Sequence, residues 1–124
     1  MRNNISSGGP FEDTYGYSRA VRVGDAVWVS GTCARGAALD GDAYEQTADA
    51  IAIIGAALEQ AGASLADVVR TVAYVTDISD MPLVARAHAE AFGAIRPAAT
   101  IVEVSRLADA KYLVELQVDA RIAP

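Results

Sequence analysis

Three acids near the C-terminal end, Glu103, Glu115 and Asp119, fall on two runs that read as β-strands. Carboxylates gathered on one sheet face and kept from water raise one another's pKa, and such pairs can shuttle protons. The competing use is ion pairing with arginines across an oligomer interface, the commoner fate of such residues. The lone His88 follows Val84 by four residues and precedes Phe92 by four, so it borders the apolar stripe of a helix. No Cys or carboxylate is spaced to complete a local metal site or triad with it, which predicts a structural or rim role. Cys33 is the single cysteine, so it makes no intrachain disulfide, and with one histidine it supplies no Cys/His zinc cage. It follows Ser30-Gly31-Thr32 directly, and with no paired histidine evident to hold a thiolate it is expected to be a small buried side chain rather than a nucleophile. Ser30 lacks the G-x-S-x-G context of a hydrolase elbow. The glycines form no phosphate-cradling loop ahead of a helix, so no nucleotide site is expected, and no cofactor or metal is expected either.

Composition narrows the field further. A chain of 124 residues is near the common size of one domain and can bury a real core. The net charge of −6 argues against a nucleic-acid binder, whose affinity comes from clustered Lys and Arg. Arg19 and Arg22, which do fall close together, sit on a strand. No apolar run approaches the roughly 18 residues of a membrane span, and MRNNISSGGPFED lacks the apolar core of a signal peptide. The expectation is therefore a cytoplasmic protein with neither membrane nor nucleic acid as partner.

The elements that must position these residues follow from periodicity. Residues 1–16 read as a loop or extended segment, with Ile5 starting a short edge strand. Tyr17 to Val23 and Ala26 to Ser30 alternate on either side of Gly24-Asp25, a two-residue hairpin signal. Thr32 to Gly41 reads as a surface loop. Asp42 and Glu45 have capping-box spacing and open a helix that ends at Gly62. Asp67 to Ile78 is β-branched and strand-like, and Asp80 caps a second helix through Phe92, with Pro82 in its first turn. Two final strands are joined by a polar connection. Thr100, Val102 and Val104 alternate with Ile101, Glu103 and Ser105. Tyr112, Val114, Leu116 and Val118 alternate with Leu113, Glu115, Gln117 and Asp119.

Hairpin, helix, strand, helix and two strands predict an α+β domain, a mixed sheet with two helices packed on one face. The other face is expected to carry Trp28, Ser30, Ile101, Glu103, Leu113, Glu115 and Gln117. That mixture is too apolar for water and too polar for a core, which predicts a symmetric subunit interface.

The chain also resembles a known family. Pro97-Ala98, Val102-Glu103-Val104, Leu107 and Val114-Glu115-Leu116 are similar to the C-terminal signature of the YjgF/RidA (Rid) family, P-A-R-S/T-x-V-E-V-x-x-L followed by V-E-I/L-E-x-x-A. Gly16 to Val21 resembles the family's G-P-Y-S-x-A-V, and Val29-Ser30-Gly31-Thr32 its x-S-G-Q/T strand end. Gln46-Thr47 and Glu90-Ala91-Phe92-Gly93 also resemble family positions. The likeness spans nearly the whole chain.

The resemblance implies a chorismate-mutase-like fold and a homotrimer whose sheets close into a central barrel. It implies ligand clefts between adjacent subunits, with Gln117 and Ser30 at the reacting end and Tyr17, Gly31, Ala99, Thr100, Ile101 and Glu115 binding the ligand. The family's best-known activity is hydrolysis of enamine and imine acids. Ala99 stands where the family's carboxylate-gripping arginine is expected, and Gln117 where its water-positioning glutamate is expected. Arg86, Arg96 and Arg106 are candidates to replace the missing guanidinium. The functional expectation is a small-molecule cleft with altered enamine or imine deaminase specificity, against a non-catalytic binding or regulatory module. A ribonuclease is the weakest reading on charge and on the absence of a histidine pair.

Overall fold

The computed structural model describes residues 1–124. Its elements run β1 Arg2–Ile5, α1 Glu12–Tyr15, β2 Ala20–Val23, β3 Ala26–Thr32, α2 Ala43–Gln60, β4 Val68–Val75, α3 Met81–Phe92, β5 Ala98–Glu103 and β6 Val114–Arg121. One six-stranded sheet has the order β1-β2-β3-β6-β4-β5. Every pairing is antiparallel except β4 with β5, which are parallel and joined by the crossover helix α3 that parallel neighbours require. The expected mixed sheet with two helices on one face is therefore present. The last two strands are not partners, because β4 lies between them.

β6 takes the centre of the sheet because its inward positions are apolar throughout. Val114, Leu116, Val118 and Ala120 are all essentially buried, against Val27, Val29 and Ala73 of the neighbouring strands and the α2 stripe Ile51, Ile54 and Leu58. The Asp42/Glu45 capping box starts α2, and Gly62 adopts the left-handed conformation just past its end. Gly24, also left-handed, turns β2 into β3.

Several local expectations change. The N-terminal segment carries a complete edge strand ending at Ile5 and a single helical turn, α1, both below the length at which periodicity shows. Thr32 to Gly41 is not a plain surface loop. Thr32 ends β3 and is buried with Ala34, and Gly36–Asp40 winds into a 3-10 helix. Asp80 sits at the start of α3 but its side chain caps nothing. Asp77 does the capping work instead, accepting from the Ser79 amide and hydroxyl, because a 3-10 turn Ile78–Asp80 precedes the helix.

The parity of β5 is also reversed. Ile101 pairs with the buried Ala73 and packs on the core, and Glu103 lies on the same side, accepting from the Ile78 amide. Parallel register with β4 sets that parity, and the β5 sequence alternates too weakly to reveal it. Glu103 therefore does not join Glu115 and Asp119. The uncovered face instead carries Trp28, Val72, Tyr74, Thr100, Val102, Gln117 and Asp119. Trp28 and Val102 are 47% and 40% exposed there, so the face is as apolar as the alternation implied.

Candidate functional site

The site is built around an irregularity in β3. Val29 pairs with Val118 but Thr32 pairs with Leu116, so three steps on β3 oppose two on β6. Such a bulge strips carbonyls of ladder partners and re-aims side chains. Here a buried guanidinium supplies what is missing. Arg19 Nη1 donates to the carbonyl of Gly31 at 2.7 Å, to that of Ser30 at 3.4 Å and to Thr32 Oγ1 at 2.8 Å. Its Nη2 donates to the Tyr17 hydroxyl at 2.9 Å, leaving the Tyr17 proton free to donate elsewhere.

The countercharge to Arg19 comes from α1. Glu12 Oε2 lies 4.0 Å from Arg19 Nε, and both side chains are buried. Burial alone would raise the Glu12 carboxyl, but donors from Ser7, Gly9 and Ser6 outweigh it and hold the group at about 2. Arg35 closes the same knot, donating from Nη1 and Nη2 to the Ser7 carbonyl and hydroxyl, while its amide donates to Asp49 of α2. Gly9 lies so close that a side chain there would fall on Arg35 Nη2 and Glu12 Oε2. The N-terminal segment is thereby fixed as a wall.

Between that wall and the bulge lies a cleft of about 860 Å³. Gly31, Cys33 and Glu115 line it together. Glu115 Oε1 accepts from the Cys33 thiol at 3.6 Å, whereas Oε2 has no partner in the chain and rests against Gly31, where any side chain would collide with it. Burial pushes the Cys33 thiol up, and the Glu115 charge and hydrogen bond add to that, to about 12. The sulfur is therefore a donor at neutral pH, not a nucleophile. Burial likewise keeps the Tyr112 hydroxyl protonated. Arg35 and the rings of Phe11, Tyr15 and Tyr17 also line the cleft. In chemical terms the cleft offers one accessible carboxylate oxygen, hydroxyl and guanidinium donors, and aromatic surface.

The residues expected at one site are divided by the structure. Tyr17, Ser30, Gly31 and Glu115 share this cleft. The Ser30 hydroxyl is spent on the Ser18 carbonyl at 2.6 Å, and no histidine lines the cleft to activate it. Ala99, Thr100 and Ile101 line a second cavity of about 290 Å³ between α3 and β5, where His88 Nε2 pairs with Thr71 Oγ1 at 2.8 Å. Burial pushes His88 below its ordinary pKa, so its ring is neutral at pH 7. Gln117 lines neither cavity. Its Oε1 accepts from the Tyr74 hydroxyl at 3.0 Å on the uncovered sheet face. Arg86 lies over the Tyr44 ring, and neither it nor Arg96 nor Arg106 lines the cleft. The guanidiniums that do are Arg19 and Arg35, which sequence reasoning passed over because their partners, Glu12 and Ser7, lie in a segment read as a loop. Within the chain no cluster of His, Cys, Asp and Glu could hold a metal ion.

Comparison with known proteins agrees with this architecture. The profile of the family described as Endoribonuclease L-PSP matches residues 11–122. A crystal structure from Mycobacterium tuberculosis, described as a member of the YjgF/YER057c/UK114 family, superposes with a TM-score of 0.93 at 51% identity, covering 98% of this chain and all of that one. A Rid family structure from Yersinia pestis gives 0.83 at 29% identity, with 98% and 100% covered. Among curated sequences, a RutC family protein of Pyrococcus abyssi is 42% identical over 73% of this chain and 75% of its own. A Streptomyces coelicolor protein of undescribed role is 38% identical over 94% of this chain and 89% of its own.

Proposed function

This chain belongs to the endoribonuclease L-PSP family, the YjgF/Rid proteins, and from that premise we propose that it forms a homotrimer whose intersubunit clefts hydrolyse small imines and their enamine tautomers. The observation that carries the reading is Glu115, a carboxylate with one unpartnered oxygen held against Gly31 in a roomy cleft. Glu115 Oε2 takes a proton from water as the oxygen adds to the imine carbon, and the nitrogen takes up a proton. The resulting carbinolamine expels ammonia and leaves the carbonyl compound. Arg35 lines the cleft, and the donors it does not spend on Ser7 would meet a carboxylate on the substrate, the role left vacant at Ala99.

Two observations support the trimer. The uncovered face exposes Trp28 and Val102, which a symmetric closure would cover. Apart from Gln117, the residues that the family likeness gathers into one site lie in two cavities of a single chain, one at β3 and one at β5. The strands β6 and β4 separate these, a distance of about 14 Å at the usual strand spacing. A second copy that sets its β5 cavity against the first copy's cleft joins the halves. Ribonuclease chemistry has less to stand on here, since the cleft holds no histidine and its Arg19 is consumed by the bulge.

The test is a coupled assay in which a pyridoxal-phosphate enzyme releases 2-aminoacrylate and its decay is followed. Wild type should accelerate decay, and Glu115→Gln should lose about a hundredfold or more. Gln117→Glu, Ala99→Arg and the double variant form the second arm. Acceleration by the double variant alone would mean that the cleft serves a binding role with another ligand, the module reading.

A further inference from the structure

The cleft is larger than a three-carbon enamine acid needs. Such a molecule has six heavy atoms, and at most about 180 Å³ follows from liquid water's share of about 30 Å³ per heavy atom. In the single chain the cleft has about 860 Å³, in the range of sites that take drug-sized ligands. Four aromatic rings, those of Phe11, Tyr15, Tyr17 and Tyr112, are among the residues that line it. Phe11 is 45% exposed and Tyr15 84%, unusual for large rings in a segment otherwise pinned by Glu12, Arg19 and Arg35. Tyr15 meets Tyr17 edge-on, with centroids 5.9 Å apart and planes at 67°, and the Arg19 guanidinium lies over the Tyr17 ring at 5.3 Å from its centroid.

We propose that the substrate is the imine of an amino acid with an aromatic side chain, its ring seated between Phe11, Tyr15 and Tyr17. This rests on the hydrolase reading above and specifies its substrate class. The imine nitrogen and carbon sit at Glu115, the carboxylate reaches Arg35, and the aryl group lies among these rings. A ring packed among such faces gains both buried apolar area and edge-to-face contact, and a methyl group in its place gains neither. The wall can hold that geometry because four donors on Glu12 and the Arg35–Ser7 pair fix its backbone.

An amino-acid oxidase supplies the imines of phenylalanine and of alanine in parallel, and their hydrolysis is timed with and without this protein. Wild type should favour the phenylalanine imine in kcat/KM by about tenfold or more, and the Phe11→Ala/Tyr15→Ala variant should bring the ratio near one. Phe11→Tyr, which keeps a ring, should keep the preference. A wild type without preference, or a ratio unchanged in the double variant, overturns the inference. So does a double variant that dissociates on sedimentation, since the rings would then be an assembly contact. If neither imine is hydrolysed, the hydrolase reading fails by itself, and binding of the free amino acids decides the aromatic claim. Phenylalanine bound more tightly than alanine in wild type, and not in the double variant, supports it. Equal binding ends it.

Discussion

Replacing Gln46 by leucine should loosen the cleft from behind. Gln46 has no exposed surface. Its Nε2 donates to the carbonyls of Lys111 at 2.9 Å and Leu39 at 3.2 Å, and its Oε1 accepts from the Leu113 amide at 2.9 Å. One amide thus ties α2 to the two connections that carry Leu39 and Tyr112 into the cleft wall. In Gln46→Leu the volume is nearly kept, but the Leu113 N–H loses its partner at a cost of about 1–3 kcal/mol. The two carbonyls, nearer the surface, lose about 0.5–1 kcal/mol each. The added apolar burial offsets about 1 kcal/mol, for a net loss of about 1–4 kcal/mol. At about 3–5 °C per kcal/mol for a chain of this length, Tm falls by about 3–20 °C. Thermal unfolding by circular dichroism reads this, paired with quenching of Tyr112 and its neighbours as a report on the wall. Gln46→Glu should be worse at pH 8 than at pH 5, because an ionised carboxylate would face two carbonyls. A Tm change under about 2 °C for Gln46→Leu would refute the reasoning, since water would then be satisfying these groups already.

Three further outcomes follow from the same geometry. With its pKa near 12, Cys33 should be alkylated at pH 8 roughly a thousandfold more slowly than a free cysteine, and Glu115→Gln should speed the reaction by removing the adjacent charge, both read by mass spectrometry. Glu12 is held at about 2, below its ordinary 4.5, so the unfolded chain binds its proton first. That contribution to stability is complete above about pH 4.5 and is lost as pH falls toward 2. Glu12→Gln should flatten the wild-type decline across that window in urea unfolding. Trp28 is the only tryptophan, and in the proposed trimer its emission should shift to the red as dilution separates the copies. Trp28→Lys, which can pair in register with Asp119 of its own chain, should sediment as a monomer.

What the sequence revealed tracks where local rules decide. The alternation of Val114, Leu116 and Val118, the Gly24-Asp25 turn and the Asp42/Glu45 cap each act within a few residues, and each is present in the structure. The uncovered, half-apolar sheet face was legible for the same reason. The parity of β5 was not, because a parallel neighbour fixes it from a distance. The cleft was legible only in part. Ser30-Gly31 and Glu115 could be picked out, but the bulge that sets them together arises from pairing between strands more than eighty residues apart. Arg19 read as one more strand residue, and nothing near it announces the carbonyls it satisfies. Gln117 shows the limit of the family likeness: it stands where a carboxylate is expected, yet it turns to Tyr74 while Glu115, two residues earlier, lines the cleft.

In the proposed trimer one site is assembled from two copies, Glu115 and Gly31 from one and the β5 cavity from the next. Mixed oligomers put this sharing to the test. Glu115→Gln removes the proton acceptor from the cleft side, and Ala99→Trp fills the smaller cavity on the β5 side. Each homotrimer should be inactive toward 2-aminoacrylate. Dissociated, mixed in equal amounts and reassembled, the two should regain about a quarter of the wild-type sites, since every mixed trimer contains one interface built from two intact halves. A mixture that stays as inactive as its parents, with mixed oligomers shown to form, would contradict the shared site.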